Sequence, residues 1–191
     1  MDPIIFLKGK RLYLRPILEQ DLEKLVIWIN DPEIRQFLAA YLPQSPEDER
    51  QWLEDLRNKK DTQLTFSIVL KNGDELIGVI SLHNINHRQG TATMGFFIGR
   101  KDLWNNGYGS EALIILLNYA FDTLNLRKVC SSVYAFNQRS LKAQQKCGFQ
   151  IEGTLKQQRR YNYGWTDEIL LAVFREDFLP PWQEFAKDLA A

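Results

Sequence analysis

Polar and hydrophobic positions alternate over residues 10–15, with Leu12 and Leu14 on one face, which predicts a strand ending at Pro16. The period then changes. Leu22, Leu25, Val26 and Ile29 recur at helical spacing within residues 21–30, and Asp31-Pro32 breaks that helix because the residue before a proline is pushed out of the α region. A second helix opens at Ser45, with Pro46 in its first position, Glu47 and Asp48 in its first turn, and Trp52, Leu53 and Leu56 turned inward. Strands are predicted at 65–70 and 75–82 around an Asn72-Gly73 turn, and at 91–98 after the turn-prone segment 86–90. A glycine-bearing loop at 107–111 opens a helix to about Leu124. A strand at 128–135, a short helix at 140–146 stopped by Gly148, and strands at 149–161 and 166–174 flanking Asn162-Tyr163-Gly164 complete the chain. No repeat is present, and this order of elements predicts a mixed α/β fold.

Composition narrows the class. A chain of 191 residues fits one domain, 1–191, and 45% hydrophobic with 25% charged residues excludes a disordered chain. The longest apolar runs, residues 112–117 and 169–174, are far below the roughly 20 that a membrane helix needs, so no membrane partner is expected. Residues 1–8 lack a basic region before their short apolar stretch, so no secretory signal is read there and a cytoplasmic location is expected. Cys130 and Cys147 read as small buried thiols, not a disulfide scaffold. His83 and His87 share strand parity but have no third ligand in reach, so no metal is expected.

The 24 basic and 24 acidic residues cancel, which argues against a polyanion binder; with no basic face interleaved with aromatics, no nucleic-acid partner is expected either. The cancellation hides a segregation. Residues 19–55 hold ten acids and three bases, while residues 122–160 hold eight bases and two acids. This suggests one end suited to an anionic ligand and another suited to a cationic amine.

Two stretches carry chemistry. In Trp104-Asn105-Asn106-Gly107-Tyr108-Gly109-Ser110-Glu111 a strand runs through a glycine loop into a helix. The first N–H groups of a helix lack internal partners and sit at its positive end, and glycine admits a ligand close to that backbone, so the loop can cradle a pyrophosphate. The second stretch is Asn137-Gln138-Arg139-Ser140 with Lys146-Cys147-Gly148-Phe149. The 30 positions between Gly107 and Asn137 hold one helix and one strand, so a parallel crossover would set the two loops side by side.

Together these motifs resemble the GCN5-related N-acetyltransferase (GNAT) superfamily, over a core of about residues 11–178. The opening segment, with Arg15-Pro16, Asp21-Leu22 and residues 28–33, is similar to the subfamily that acetylates the N-terminal amine of ribosomal proteins. The resemblance implies a single-domain GNAT fold, a mixed, mostly antiparallel sheet flanked by helices. It implies acetyl-CoA as cosubstrate. Backbone of Phe96, Phe97 and Ile98 would pair with the pantetheine arm, and a backbone N–H near Phe97 would stabilise the oxyanion. Asn105, Asn106, Gly107, Tyr108, Gly109 and Ser110 would hold the pyrophosphate, and Asn137 and Ser140 would lie near the thioester. The expected reaction is direct attack by a neutral amine in a ternary complex, without an acetyl-cysteine.

Two positions depart from the family pattern. Many members carry a Tyr that protonates the CoA thiolate where this chain has Gln144, and an acid where it has Thr93. Ser140, Tyr134 or a water could replace the acid. Glu75, Glu33 and Glu168 are alternatives for a base, each read more readily as a surface acid. The candidate catalytic residues are therefore Ser140, Asn137, Tyr134 and Glu75. Lacking an evident strong base, the site favours an amine of low pKa: an α-amine near 7.7–8.0 is substantially neutral at about pH 7.5, a lysine near 10.4 only about 0.1% so. A protein or peptide N-terminus is the expected acceptor. A polyamine or aminoglycoside is the alternative, since Ile85-Asn86-His87 resembles bacterial spermidine acetyltransferases, and a non-catalytic acetyl-CoA sensor is a third reading. Tyr161, Tyr163 and Trp165 are expected at the acceptor side or at a surface, and the chain is expected as a monomer or homodimer.

Overall fold

The computed structural model describes residues 3–187. Its strands are β1 (Leu7–Lys8), β2 (Leu12–Pro16), β3 (Leu64–Leu70), β4 (Leu76–Asn86), β5 (Thr91–Ile98), β6 (Lys128–Tyr134), β7 (Gln150–Tyr161) and β8 (Gly164–Phe174). Its helices are α1 (Leu22–Asn30), α2 (Pro32–Arg35), α3 (Pro46–Asn58), α4 (Tyr108–Asn118), α5 (Gln138–Gln145) and α6 (Arg175–Ala186). The strands form one sheet in the order β1-β2-β3-β4-β5-β6-β8-β7. Every pairing is antiparallel except β5 with β6, which α4 joins as a crossover.

Both faces of the sheet are covered. On one, Leu12, Leu14, Ile68, Ile80 and Leu82 pack in the core that holds Leu113, Leu116 and Leu117 of α4. On the other, Tyr13, Val69 and Val79 pack with Leu22, Leu25 and Leu53 of α1 and α3. The alternation over residues 10–15 located β2, but its second face is buried as well. Arg15, at 5% exposure, is held by Asp21 through 2.6 and 2.8 Å contacts. Burial alone would raise the Asp21 carboxyl, but hydrogen bonds from Arg15, the Leu18 N–H and Ser67 outweigh it and hold the group below its usual value.

The local signals at Asp31 and Ser45 act as capping chemistry. Asp31 ends α1 and at once caps α2, accepting from the Glu33 N–H at 2.8 Å, with Pro32 in the first position. Ser45 and Asp48 form a reciprocal capping box at the start of α3. The helix after the glycine loop changes to a π turn at Tyr119–Thr123. The pattern of residues gave no sign of β1 or α2, which are too short for a period, nor of α6. Pro180 and Pro181 in α6 look like breakers, yet the helix seats Phe178 against Phe121 at 5.3 Å between ring centroids. No helix among the described residues is long and apolar enough to cross a membrane.

Candidate active site

The site begins where the sheet comes apart. β5 and β6 pair only at Thr91↔Lys128, Ala92↔Val129 and Thr93↔Cys130. Beyond Thr93 the edge of β5 that faces β6 has no strand partner, so its N–H and C=O groups are available to an extended, amide-bearing chain. The Ile98 carbonyl is the exception, accepting from the Trp104 indole N–H at 2.7 Å. The splayed strands open a cleft of about 460 Å³ that reaches from the start of α4, past β5 and β6, to the turn after α2.

The α4 end is built to receive an anion. Gly107 caps the helix with φ +81°, a left-handed conformation that favours glycine, and no side chain occupies the free N–H groups. Gly109 leaves room for Phe96, since a Cβ there would stand 2.8 Å from the ring. Buried Glu111 fixes the turn to β2, accepting from the backbone N–H groups of Arg11 and Leu12 at 2.7 and 3.3 Å and from Arg11 Nε at 2.8 Å. The Arg11 guanidinium also lies 4.2 Å from the Tyr108 ring and donates to the Asn106 carbonyl. Asn105 and Gly107 through Ser110 line the cleft; Asn106 does not, and serves the loop through its backbone.

The second motif faces the first, as the crossover predicted: Ser110 Oγ lies 3.5 Å from the Ala143 carbonyl. Asn137 caps α5 by accepting from the Ser140 N–H at 3.2 Å. Ser140 Oγ accepts from Gln144 Nε2 at 3.1 Å, which leaves the hydroxyl proton free to point into the cleft. Gln144 is 2% exposed, and its Oε1 has no partner among the described residues, an unsatisfied acceptor in the cleft wall.

The wall across from α5 comes from β4, β6, β7, β8 and the turn after α2. Tyr134 donates its hydroxyl to the Leu38 carbonyl at 3.3 Å, so this candidate acid ties β6 to the turn after α2. Burial pushes the phenol upward. Glu168 is not the surface acid expected. It is 3% exposed, bonded to Ser132 at 2.6 Å and to Arg159 at 2.8 and 3.0 Å. Burial would raise its carboxyl, but those bonds outweigh it and hold it below the usual value. His83 lines the same cleft, and its burial favours the neutral ring.

Other expectations fall outside the cleft. The catalytic candidate Glu75 is placed away from the cleft: it lies just before β4, its carboxylate is taken by Arg100, and it is not among the lining residues. Glu33 is exposed and paired with Lys101. Cys147 donates to the Ser110 carbonyl and burial pushes its thiol up to about 12, so it is protonated and unreactive at neutral pH. Burial raises Cys130 too. Tyr161 stacks on Phe136 at 3.8 Å, while Tyr163 is 99% exposed. The charge division is corrected as well. Residues 19–55 give the cleft Ile34, Phe37, Leu38 and Ala39, none of them acidic, and Glu168 is the one carboxylate among the described lining residues. Sequence reasoning missed His83, Arg159 and the buried state of Glu168; strand parity held the signal for His83, but nothing local showed that its face opens onto a cleft.

The family described as acetyltransferase (GNAT) domain matches residues 11–150. The Escherichia coli K12 spermidine N(1)-acetyltransferase is 25% identical over 167 residues, covering 87% of each chain. The [ribosomal protein uS5]-alanine N-acetyltransferase of the same strain is 25% identical over 188 residues, covering 93% of this chain and 95% of the relative. The Vibrio cholerae spermidine N-acetyltransferase, solved with CoA and spermine, superposes with a TM-score of 0.82 at 21% identity, covering 88% of this chain and 98% of the other.

Proposed function

The chain belongs to the GNAT acetyltransferase family, and from that premise we propose that it moves the acetyl group of acetyl-CoA to the α-amine of a protein or peptide by direct attack in a ternary complex. The observation that carries this reading is the parting of β5 from β6 after Thr93, which sets an open strand edge beside the start of α4, whose first N–H groups no side chain takes up. An arm with two amides suits the edge, and a pyrophosphate suits the helix start. In this arrangement Phe96, Phe97 and Ile98 hold the arm, Gly107 through Ser110 the phosphates, and Ser140 presents its free proton to the departing thiolate. The unsatisfied Gln144 Oε1 is an acceptor for a donor of the bound arm.

The acceptor wall favours one amine over many. Its single carboxylate, Glu168, is already satisfied by Ser132 and Arg159, and Arg159 repels further cations. A chain bearing one ammonium meets a lower barrier there than a polycation. The protonated thiol of Cys147, and the absence of both cysteines from the cleft lining, favour direct transfer. The polyamine reading has the sequence similarity of a spermidine N(1)-acetyltransferase behind it. However, His87, in the segment that prompted that comparison, bonds to the Asp61 carbonyl outside the cleft.

A panel of peptides, polyamines and aminoglycosides, scored by release of free CoA, tests the proposal. Turnover is expected with peptides bearing a free α-amine. Turnover with spermidine alone would support the second reading, and a thermal shift with acetyl-CoA but no turnover would mark a sensor.

A further inference from the structure

His83 stands where the cleft opens. It is the direct antiparallel partner of Thr93, and Thr93 is the last residue of β5 paired with β6. Residues directly opposite on antiparallel strands share a face, so the imidazole rises from the sheet at the point of parting. It leans along β5: a Cβ built on Gly95 would stand 3.7 Å from His83 Cε1. The ring therefore lies over Gly95, beside the backbone proposed to hold the arm. The His83 ring makes no hydrogen bond to the described residues, so a ring nitrogen is available to a ligand in the cleft.

We propose that His83 is the general base of acetyl transfer, accepting the proton that the attacking amine loses. The inference rests on the acetyl-transfer reading above. As the nitrogen–carbon bond forms and the carbon–sulfur bond breaks, the surplus proton on nitrogen goes to the imidazole. The thiolate takes a proton delivered through the Ser140 hydroxyl from water, and the imidazolium returns its own to water when the products leave. Among the charged and titratable groups that line the cleft, Glu168 is the competing base, and it is the weaker one: protonating it would break the bonds to Ser132 and Arg159. Arg139, Lys142, Lys146 and Arg159 are cations, and Tyr134 donates its proton elsewhere. The burial of the ring favours neutral imidazole, the form a base requires.

The test compares wild type with His83→Ala and His83→Gln, measuring kcat at saturating acetyl-CoA with an alanine-initiated peptide and, separately, with spermidine. A positioned base contributes roughly 10²–10⁴-fold, so kcat should fall by about that factor in both variants. Acetyl-CoA affinity by calorimetry should be unchanged, and added imidazole should restore part of the rate of His83→Ala. The wild-type kcat should decline in acid with a midpoint below 6.5, the ordinary histidine value, and that limb should vanish in His83→Gln. Variants within about threefold of wild type, or a loss of rate that imidazole does not rescue, would overturn the role of His83. The wild-type rates report separately on the broader reading: activity with spermidine alone would change the acceptor and leave the base assignment standing, and no activity with either amine would overturn both.

Discussion

Ser140 accepts from Gln144 and keeps its own proton, so the Gln144 amide orients a hydroxyl that can donate into the cleft. Under the proposed role, Ser140→Ala should lower kcat by about 10²-fold, the low end for a positioned acid, because a thiolate of pKa near 8.5 already leaves well. Acetyl-CoA affinity should change little; an unchanged kcat would remove Ser140 from the chemistry. A separate prediction concerns Asp21, whose carboxyl is held below its usual value of 3.8 by Arg15, the Leu18 N–H and Ser67 against its own desolvation. A carboxyl depressed on folding stabilises the fold above its unfolded pKa, and that contribution is lost as pH falls through the folded value. Asp21→Asn leaves Arg15 buried without its partner and should cost about 3–5 kcal/mol. Its melting temperature should then depend less on pH below about 4 than that of wild type.

At the scale of elements, the start of α4 and its clamp to β2 decide whether phosphate can be held. Gly109→Ala forces Phe96 to move from a 2.8 Å contact, an overpacking of about 1–3 kcal/mol. Acetyl-CoA should bind at least about fivefold more weakly, as calorimetry would register. An unchanged affinity would mean that Phe96 and the helix start do not form one site. The two loops were legible in the sequence because glycine spacing and capping residues are local signals, and one helix plus one strand between them fixed their crossover. What closes the site was not legible. Tyr134 reaching Leu38 and Arg139 lying 3.7 Å over Trp104 each join residues far apart in the chain, and no local pattern encodes such contacts. Arg159 meets Glu168 within one hairpin, but register shifts between Leu155 and Arg159 set which residues face each other. In α6 the opposite holds: Pro180 and Pro181 are local breaker signals, and the helix forms around them with Phe178 buried.

For the whole molecule, the balanced charge is redistributed by folding. Half of the ten acids of residues 19–55 enter ion pairs, among them Asp21 with Arg15, Glu19 with Arg50 and Asp31 with Lys101, and the segment brings an apolar wall to the cleft. The basic segment instead delivers Arg139, Lys142, Lys146 and Arg159 to the lining, opposed by Glu168 alone. Acetyl-CoA affinity should therefore weaken as salt shortens the screening length from about 10 Å at 0.1 M to about 3 Å at 1 M, while acceptor KM should respond much less. A salt-sensitive KM with salt-insensitive donor binding would reverse that assignment. The central claim, acetyl transfer to a peptide α-amine, is tested most directly by tandem mass spectrometry of an alanine-initiated peptide that also contains an internal lysine, after incubation with acetyl-CoA. The account predicts acetyl on the α-nitrogen with one equivalent of CoA released and the lysine unmodified; acetyl on the lysine alone, or no transfer from a protein that binds acetyl-CoA, would contradict it.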